Sequence, residues 1–330
     1  MNVNISMKLL GSLLAFILLS LYFLGVYWSF EPDALDIRQQ VTNDATADNV
    51  APVVGYTTTT ALIRVTETLL DKPGGYLAND ALPPSFFLDN IPSWEFGALE
   101  MIRDMALVMR QEFSRSQSQS LENAHLKVAQ PQLNIDHKSW AMPSAETEYR
   151  QAIKALYAYR KSLADVNSQS AQFYARADNL RDWLQEVNKR LGSYSQRLSA
   201  SVGREQLNVD LAGEQSAQQS TTSSANLHLK TSWWQIDNEF YEARGACWAL
   251  LHFLRAVEID FNDVLEKKNA KVSMQQIIRE LEASQEAIWS PMILNGDGFG
   301  VLANHSLVMA NYISRANAAL IDLNELLSQG

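Results

Sequence analysis

The chain has 330 residues, 47% hydrophobic and 19% charged, enough apolar material for one large or two small packed domains and too much for a disordered tether. Its 37 acidic against 27 basic residues disfavour contact with phosphate backbones or anionic surfaces, so nucleic acid is not an expected partner. The single cysteine, Cys247, excludes an intramolecular disulfide and a thiolate-only metal cluster, and its place on an apolar helix face marks it as core filler.

The run from Leu9 to Trp28 carries no charge. About twenty helical residues at 1.5 Å each match the ~30 Å hydrocarbon layer, so residues 9–28 are expected to be a transmembrane anchor in contact with the lipid bilayer. The apolar stretch is longer than a secretory signal's, and its exit, Tyr27-Trp28-Ser29-Phe30, lacks a small-x-small cleavage site; it reads as an uncleaved signal-anchor. Lys8 precedes the span and Glu31, Asp33 and Asp36 follow it, which predicts a cytoplasmic segment 1–8 and an outward-facing remainder. In a Gram-negative cell that is an inner-membrane protein with a periplasmic domain.

Residues 29–55 are short of large apolar groups and read as an exposed stalk, leaving 56–330 as the soluble domain. A first helix starts in Thr57 to Thr60 and stops at Lys72-Pro73-Gly74-Gly75. Ser93 is placed to cap a second, with Leu99, Ile102, Met105, Met109 and Phe113 on one face. Leu126 and Val128, then Leu133 and Ile135, alternate about Pro131 and suggest short edge strands. Long helices follow over Ser144 to Leu163 and Ala171 to Leu198. Leu207 to Leu211 and Leu227 to Leu229 alternate again around a Ser, Gln and Thr-rich segment, predicting a pair flanking a flexible loop at 213–226. The most apolar helix is predicted over Asn238 to Lys268, and two more over Met274 to Ile288 and His305 to Leu327 close the chain. The fold class is therefore mainly α, a single N-terminal transmembrane helix plus a multi-helix, bundle-like soluble domain with room for a few short β-strands.

Three long strings, PGGYLANDALPPSFFLDNIPSWEFG (Pro73 to Gly97), AQFYARADNLRDWL (Ala171 to Leu184) and WSPMILNGDGFGVLANHSLVMANYISRANAA (Trp289 to Ala319), together resemble a proteobacterial family catalogued as domain of unknown function 2333. The resemblance covers nearly everything after the stalk. It implies an N-terminally anchored, largely helical envelope protein and carries no ligand, activity or catalytic residue to any position here.

Candidate chemistry is sparse. Gly296, Asp297, Gly298 and Gly300 precede a helix N-terminus and could let backbone approach an anion, but no P-loop Lys and Ser/Thr follow, so a connecting turn is the better reading. Histidines 125, 137, 228, 252 and 305 stand singly, without metal-ligand spacing, and His252 reads as a hydrogen-bonded core histidine. Asp237, Glu239 and Glu242 fit the start of a helix, or an acid and base for glycosidic cleavage. Arg244 and Arg255 interrupt an apolar helix, so at least one should face inward and pair with Glu239, Glu242 or Glu258. Seven downstream tryptophans should mostly fill the core. The candidate functional residues are thus Arg244, Arg255, Asp297, Gly298, Gly300 and His305, with no cofactor or metal called for. The leading expectation is a non-enzymatic interaction or scaffolding module that binds another envelope protein; an apolar small-molecule or lipid binder and a cell-wall hydrolase or lyase are the alternatives.

Overall fold

A computed structural model of the chain describes residues 2–116, 120–165, 171–207, 226–290, 292–296 and 302–329. Its helices are α1 (Asn2–Trp28), α2 (Ile37–Asp48), α3 (Tyr56–Asp71), α4 (Asn90–Val108), α5 (Ala124–Leu133), α6 (Ala145–Ala164), α7 (Ala177–Ser199), α8 (Ile236–Asp260), α9 (Asn262–Lys267), α10 (Lys271–Ser284) and α11 (His305–Ser328). Two short strands, β1 (Arg204–Leu207) and β2 (Asn226–Leu229), pair antiparallel with Arg204 opposite Leu229. Residues 213–225 of the expected flexible loop lie outside the described residues, and Asn226 opens β2.

The bundle is built around α8. Every residue from Ala243 to Leu254 is buried, as a helix apolar on all sides must be. Helix α4 packs along one side of it, α3 and α10 along others; α11 bridges α7 and α10, and α6 joins α3 to α5. The α4–α8 crossing depends on two glycines. A Cβ on Gly97 would lie 1.9 Å from the Glu242 carbonyl oxygen, and one on Gly245 would lie 1.9 Å from that of Trp94, so the two backbones touch where no side chain fits. Trp94 and Trp248 close the crossing with rings 5.0 Å apart, and Cys247 is fully buried elsewhere on α8.

Several expectations need correction. The segment 29–55 is not an exposed stalk throughout, because α2 buries Ile37, Val41 and Ala45 against α3 and α8. Its shortage of large apolar groups suggested solvent, but Asp44 and Asp48 are ion-paired to Arg160 of α6, Asp48 at 3.1 Å, and Asp44 also pairs with Arg64 of α3. The expected strands about Pro131 are helix α5: Asn123 caps it, Leu126, Ala129, Gln130 and Leu133 share its buried face, and Val128 points to solvent. Helix α7 begins at Ala177 rather than Ala171, since Tyr174 N–H donates instead to Phe113 C=O at 2.7 Å. Asp89 occupies the N-cap position of α4, and Ser93 lies within its first turn. The long apolar helix breaks at Phe261 into α8 and α9. Of the seven tryptophans only Trp94, Trp183 and Trp248 are buried, whereas Trp140, Trp233, Trp234 and Trp289 are exposed.

Candidate functional site

One helix, Lys8–Trp28 within α1, is long and apolar enough to cross a membrane, and it is the one such segment among the described residues. The linker beyond it is stitched to α8. Arg244 Nε donates to Glu31 at 2.6 and 2.9 Å, Trp248 Nε1 donates to the Asp33 carbonyl at 3.3 Å, and Leu35 N–H donates to His252 Nε2 at 2.7 Å. Residues 244, 248 and 252 recur every fourth position on α8, while 31, 33 and 35 alternate along the linker. Four helical residues advance about 6.0 Å and two extended residues about 6.6 Å, so the two spacings stay in step over the whole seam.

Each α8 side chain in the seam is fixed from a second side. Arg244 also donates to the Ser284 and Gln285 carbonyls at 2.9 and 3.1 Å, satisfying acceptors at the C-terminus of α10, where a cation is favoured. The Arg244 partner is thus Glu31, 213 residues away in sequence, and not Glu239, Glu242 or Glu258. His252 is fully buried; because Nε2 accepts from Leu35, Nδ1 must carry the proton it gives to the Trp248 carbonyl at 2.6 Å. Burial pushes its pKa down to about 4, the neutral state that the Leu35 bond requires.

Open clefts flank Arg244. One of about 420 Å³ lies between the linker and Tyr241, Trp248 and Ile288; the other, of about 240 Å³, is lined by Phe240, Ile288, Trp289, His305 and Tyr312. Trp289 is 97% exposed at its rim. Arg244 and His305 therefore line one cleft. His305 Nδ1 accepts from Leu294 N–H at 3.0 Å, and burial lowers its pKa. Arg255 is elsewhere, paired with Glu282 at 2.7 Å on the surface. Asp297, Gly298 and Gly300 lie outside the described residues.

Two of the three acids at the start of α8 are engaged by α7: Arg197 reaches Glu239 at 3.0 Å and Glu242 at 2.5 Å. A third cleft of about 560 Å³ between α4 and α7 has a charged rim in which Arg190 holds Asp104 at 2.8 Å and Lys189 holds Glu186 at 2.7 Å. Among the described residues no three His, Cys, Asp or Glu side chains gather as a metal site would require.

Sequence reasoning missed a fully buried ion pair. Lys72 Nζ and Glu95 Oε1 are 2.5 Å apart with both side chains sealed from solvent. Glu95 also accepts the N–H groups of Leu77 and Ala78, and Lys72 donates to the Gly75 carbonyl at 2.6 Å, so the pair folds the loop 72–78 upon itself. Burial pushes the Glu95 carboxyl up to about 7 against the pull of Lys72 and the two amides. A glutamate whose helical neighbours Ile91, Ala98, Leu99 and Ile102 are all apolar was the available signal.

No curated protein and no solved structure matches this chain. A family model described as an uncharacterized protein conserved in bacteria matches residues 2–330, nearly the full length and in agreement with the resemblance carried by the three strings. The chain belongs to that bacterial family, DUF2333.

Proposed function

We propose that this protein is a single-pass, membrane-anchored interaction module, held by α1 in the bacterial inner membrane with its N-terminus in the cytoplasm and its helical domain in the periplasm. Its partner is another envelope protein, which docks along the clefts flanking Arg244. The observation that carries this reading is the Glu31–Asp33–Leu35 seam, which removes the slack between anchor and domain. A fixed attitude to the bilayer suits a module that must present one face to a neighbour in the same membrane. The flanking clefts are open and partly apolar, and one of them is rimmed by exposed Trp289, the kind of aromatic anchor that dominates protein interfaces.

The test is photocrosslinking in membranes of the native host, with a benzophenone side chain at Val308 in the Trp289 cleft and at Val272 on the far end of α10. A discrete adduct to one envelope protein from Val308, lost in Trp289→Ser and absent from Val272, is expected. Equal labelling from both positions, or none from Val308, would remove the interaction reading. Protease digestion of a C-terminal epitope in intact spheroplasts checks the topology; protection would place the domain in the cytoplasm and overturn the periplasmic assignment.

A further inference from the structure

Beside the outer end of α1 lies a loop whose chemistry is wrong for water. Between Asp80 and Asp89 the chain reads Ala-Leu-Pro-Pro-Ser-Phe-Phe-Leu, without a charge, and Leu82, Phe86 and Phe87 are 77, 68 and 74% exposed. Phe86 and Phe87 sit edge to face with ring centroids 5.5 Å apart. A contiguous apolar tip of this kind marks an interaction surface.

The base of the tip indicates its cover. Pro84 is buried against α1: a Cβ on Gly25 would lie 3.4 Å from Pro84 Cβ and 3.8 Å from Leu88 Cδ2, so both ends of the short turn Ser85–Phe87 rest on the anchor helix. Gly25 lies inside the apolar span Lys8–Trp28, about 4.5 Å before its end. The base of the tip is thereby held against the last turn of the span. Trp28 fixes the same junction, its ring lying so close to Gly74 (φ +85°) that a Cβ there would be 2.7 Å from it. The loop cannot swing away, because Leu77 and Ala78 are bonded to Glu95, and Ser85 Oγ donates to the Leu77 carbonyl at 3.3 Å. Buried Lys72 and Glu95 thus act as the foot of the loop.

We propose that Leu82, Phe86 and Phe87 form a second membrane contact, an apolar wedge seated in the interfacial layer of the leaflet from which α1 emerges. The inference rests on the reading of α1 as a transmembrane anchor. Aromatic side chains are favoured at that depth, and the flanking Asp80 and Asp89, both exposed, remain on the aqueous side. With the span fixing position and the wedge blocking rotation about the α1 axis, the domain is left with one orientation on the membrane.

The test uses the full-length chain with Cys247 replaced by Ala, reconstituted in phosphatidylcholine vesicles without other proteins. Single cysteines introduced by Leu14→Cys, Phe86→Cys, Phe87→Cys and Val272→Cys carry an environment-sensitive fluorophore, quenched in turn by spin labels at shallow and deep positions on the lipid chains. Helical content by circular dichroism selects folded variants, and two independent wedge positions guard against loss of either. The expected result is deep quenching at residue 14, shallow quenching at 86 and 87 at least several-fold above that at 272, and blue-shifted emission at 86 and 87. Quenching at 14 with residues 86 and 87 indistinguishable from 272 overturns the wedge while leaving the anchor intact, and the tip would then belong to a protein partner. Absence of quenching at 14 overturns the anchor and the wedge together.

Discussion

The α4–α8 crossing and the attachment of residues 31–48 to the bundle are held together by different physics. At the crossing, Gly97 and Gly245 let two backbones touch beside Trp94 and Trp248, and cohesion comes from shape. Where residues 31–48 attach, directional bonds are added: Arg244 with Glu31, His252 with Leu35, Arg160 with Asp44 and Asp48. Shape is indifferent to pH and salt. Directional bonds between ionisable groups are not, so pH and salt should weaken the second set of contacts and leave the first unaltered.

The largest effect is expected from Arg160→Met. Arg160 is 3% exposed, stacks between Tyr56 and Tyr157, and shares Asp44 with Arg64; its loss leaves that nearly buried carboxylate with one cation and removes both stacking contacts, at a cost of about 3 kcal/mol or more. Denaturant unfolding of the detergent-purified protein reads this directly, and restoring part of it with Asp44→Asn in the same chain would assign that part to the under-neutralised carboxylate. Gly245→Ala comes next. The new methyl would collide with a carbonyl that cannot rotate away, so we expect a loss of about 3 kcal/mol that is insensitive to pH between 5 and 8. A strong pH dependence in that variant would break the division between the two regions.

His252 supplies the complementary case. Its folded-state pKa is depressed from 6.5 to about 4, so its stabilising contribution is fully present above pH 6.5 and is lost as pH falls toward 4. The total is on the order of 3 kcal/mol, and protonation also abolishes the acceptor for Leu35. His252→Leu should flatten that part of the stability profile, and the protection factor of the Leu35 amide against hydrogen exchange, taken relative to the intrinsic rate at each pH, should fall in the wild type on acidification. The smallest effect is expected from Glu31→Gln. Glu31 is partly exposed and Arg244 keeps its two carbonyl acceptors, so a shift of about 1 kcal/mol or less, reduced further by salt, is expected in thermal unfolding.

Elements whose signal is local were legible in the sequence. The Pro-Gly-Gly stop of α3 and the apolar spacing over Ser144 to Leu163 in α6 each combine several neighbouring cues, and both helices lie where those cues put them; the apolar run of α8 does so as far as its break at Phe261. Helix α5 was misread because Leu126 and Val128 happen to be two apart, while the positions that decide the period, Ala129 and Gln130, are weakly apolar or polar. Arg244 could be recognised as inward-facing from its apolar neighbours, but nothing local points 213 residues back to Glu31. The same holds for Asp44 and Asp48, whose acidic context reads as solvated until Arg160 is brought up from 112 and 116 residues downstream. Composition describes what a segment would do alone, and these side chains are never alone in the folded chain.

The seam along α8 has a mechanical consequence. A flexible linker acts as a slack rope: a tug on a domain at its end is absorbed before the anchor feels anything. Here the residues between α1 and α2 are gripped at Glu31, Asp33 and Leu35, at intervals commensurate with the helix they lie on. In the proposed membrane setting, a sideways load on α8 reaches α1 as torque and appears in the bilayer as tilt, so that the whole protein works as a rigid lever with its fulcrum at the headgroups.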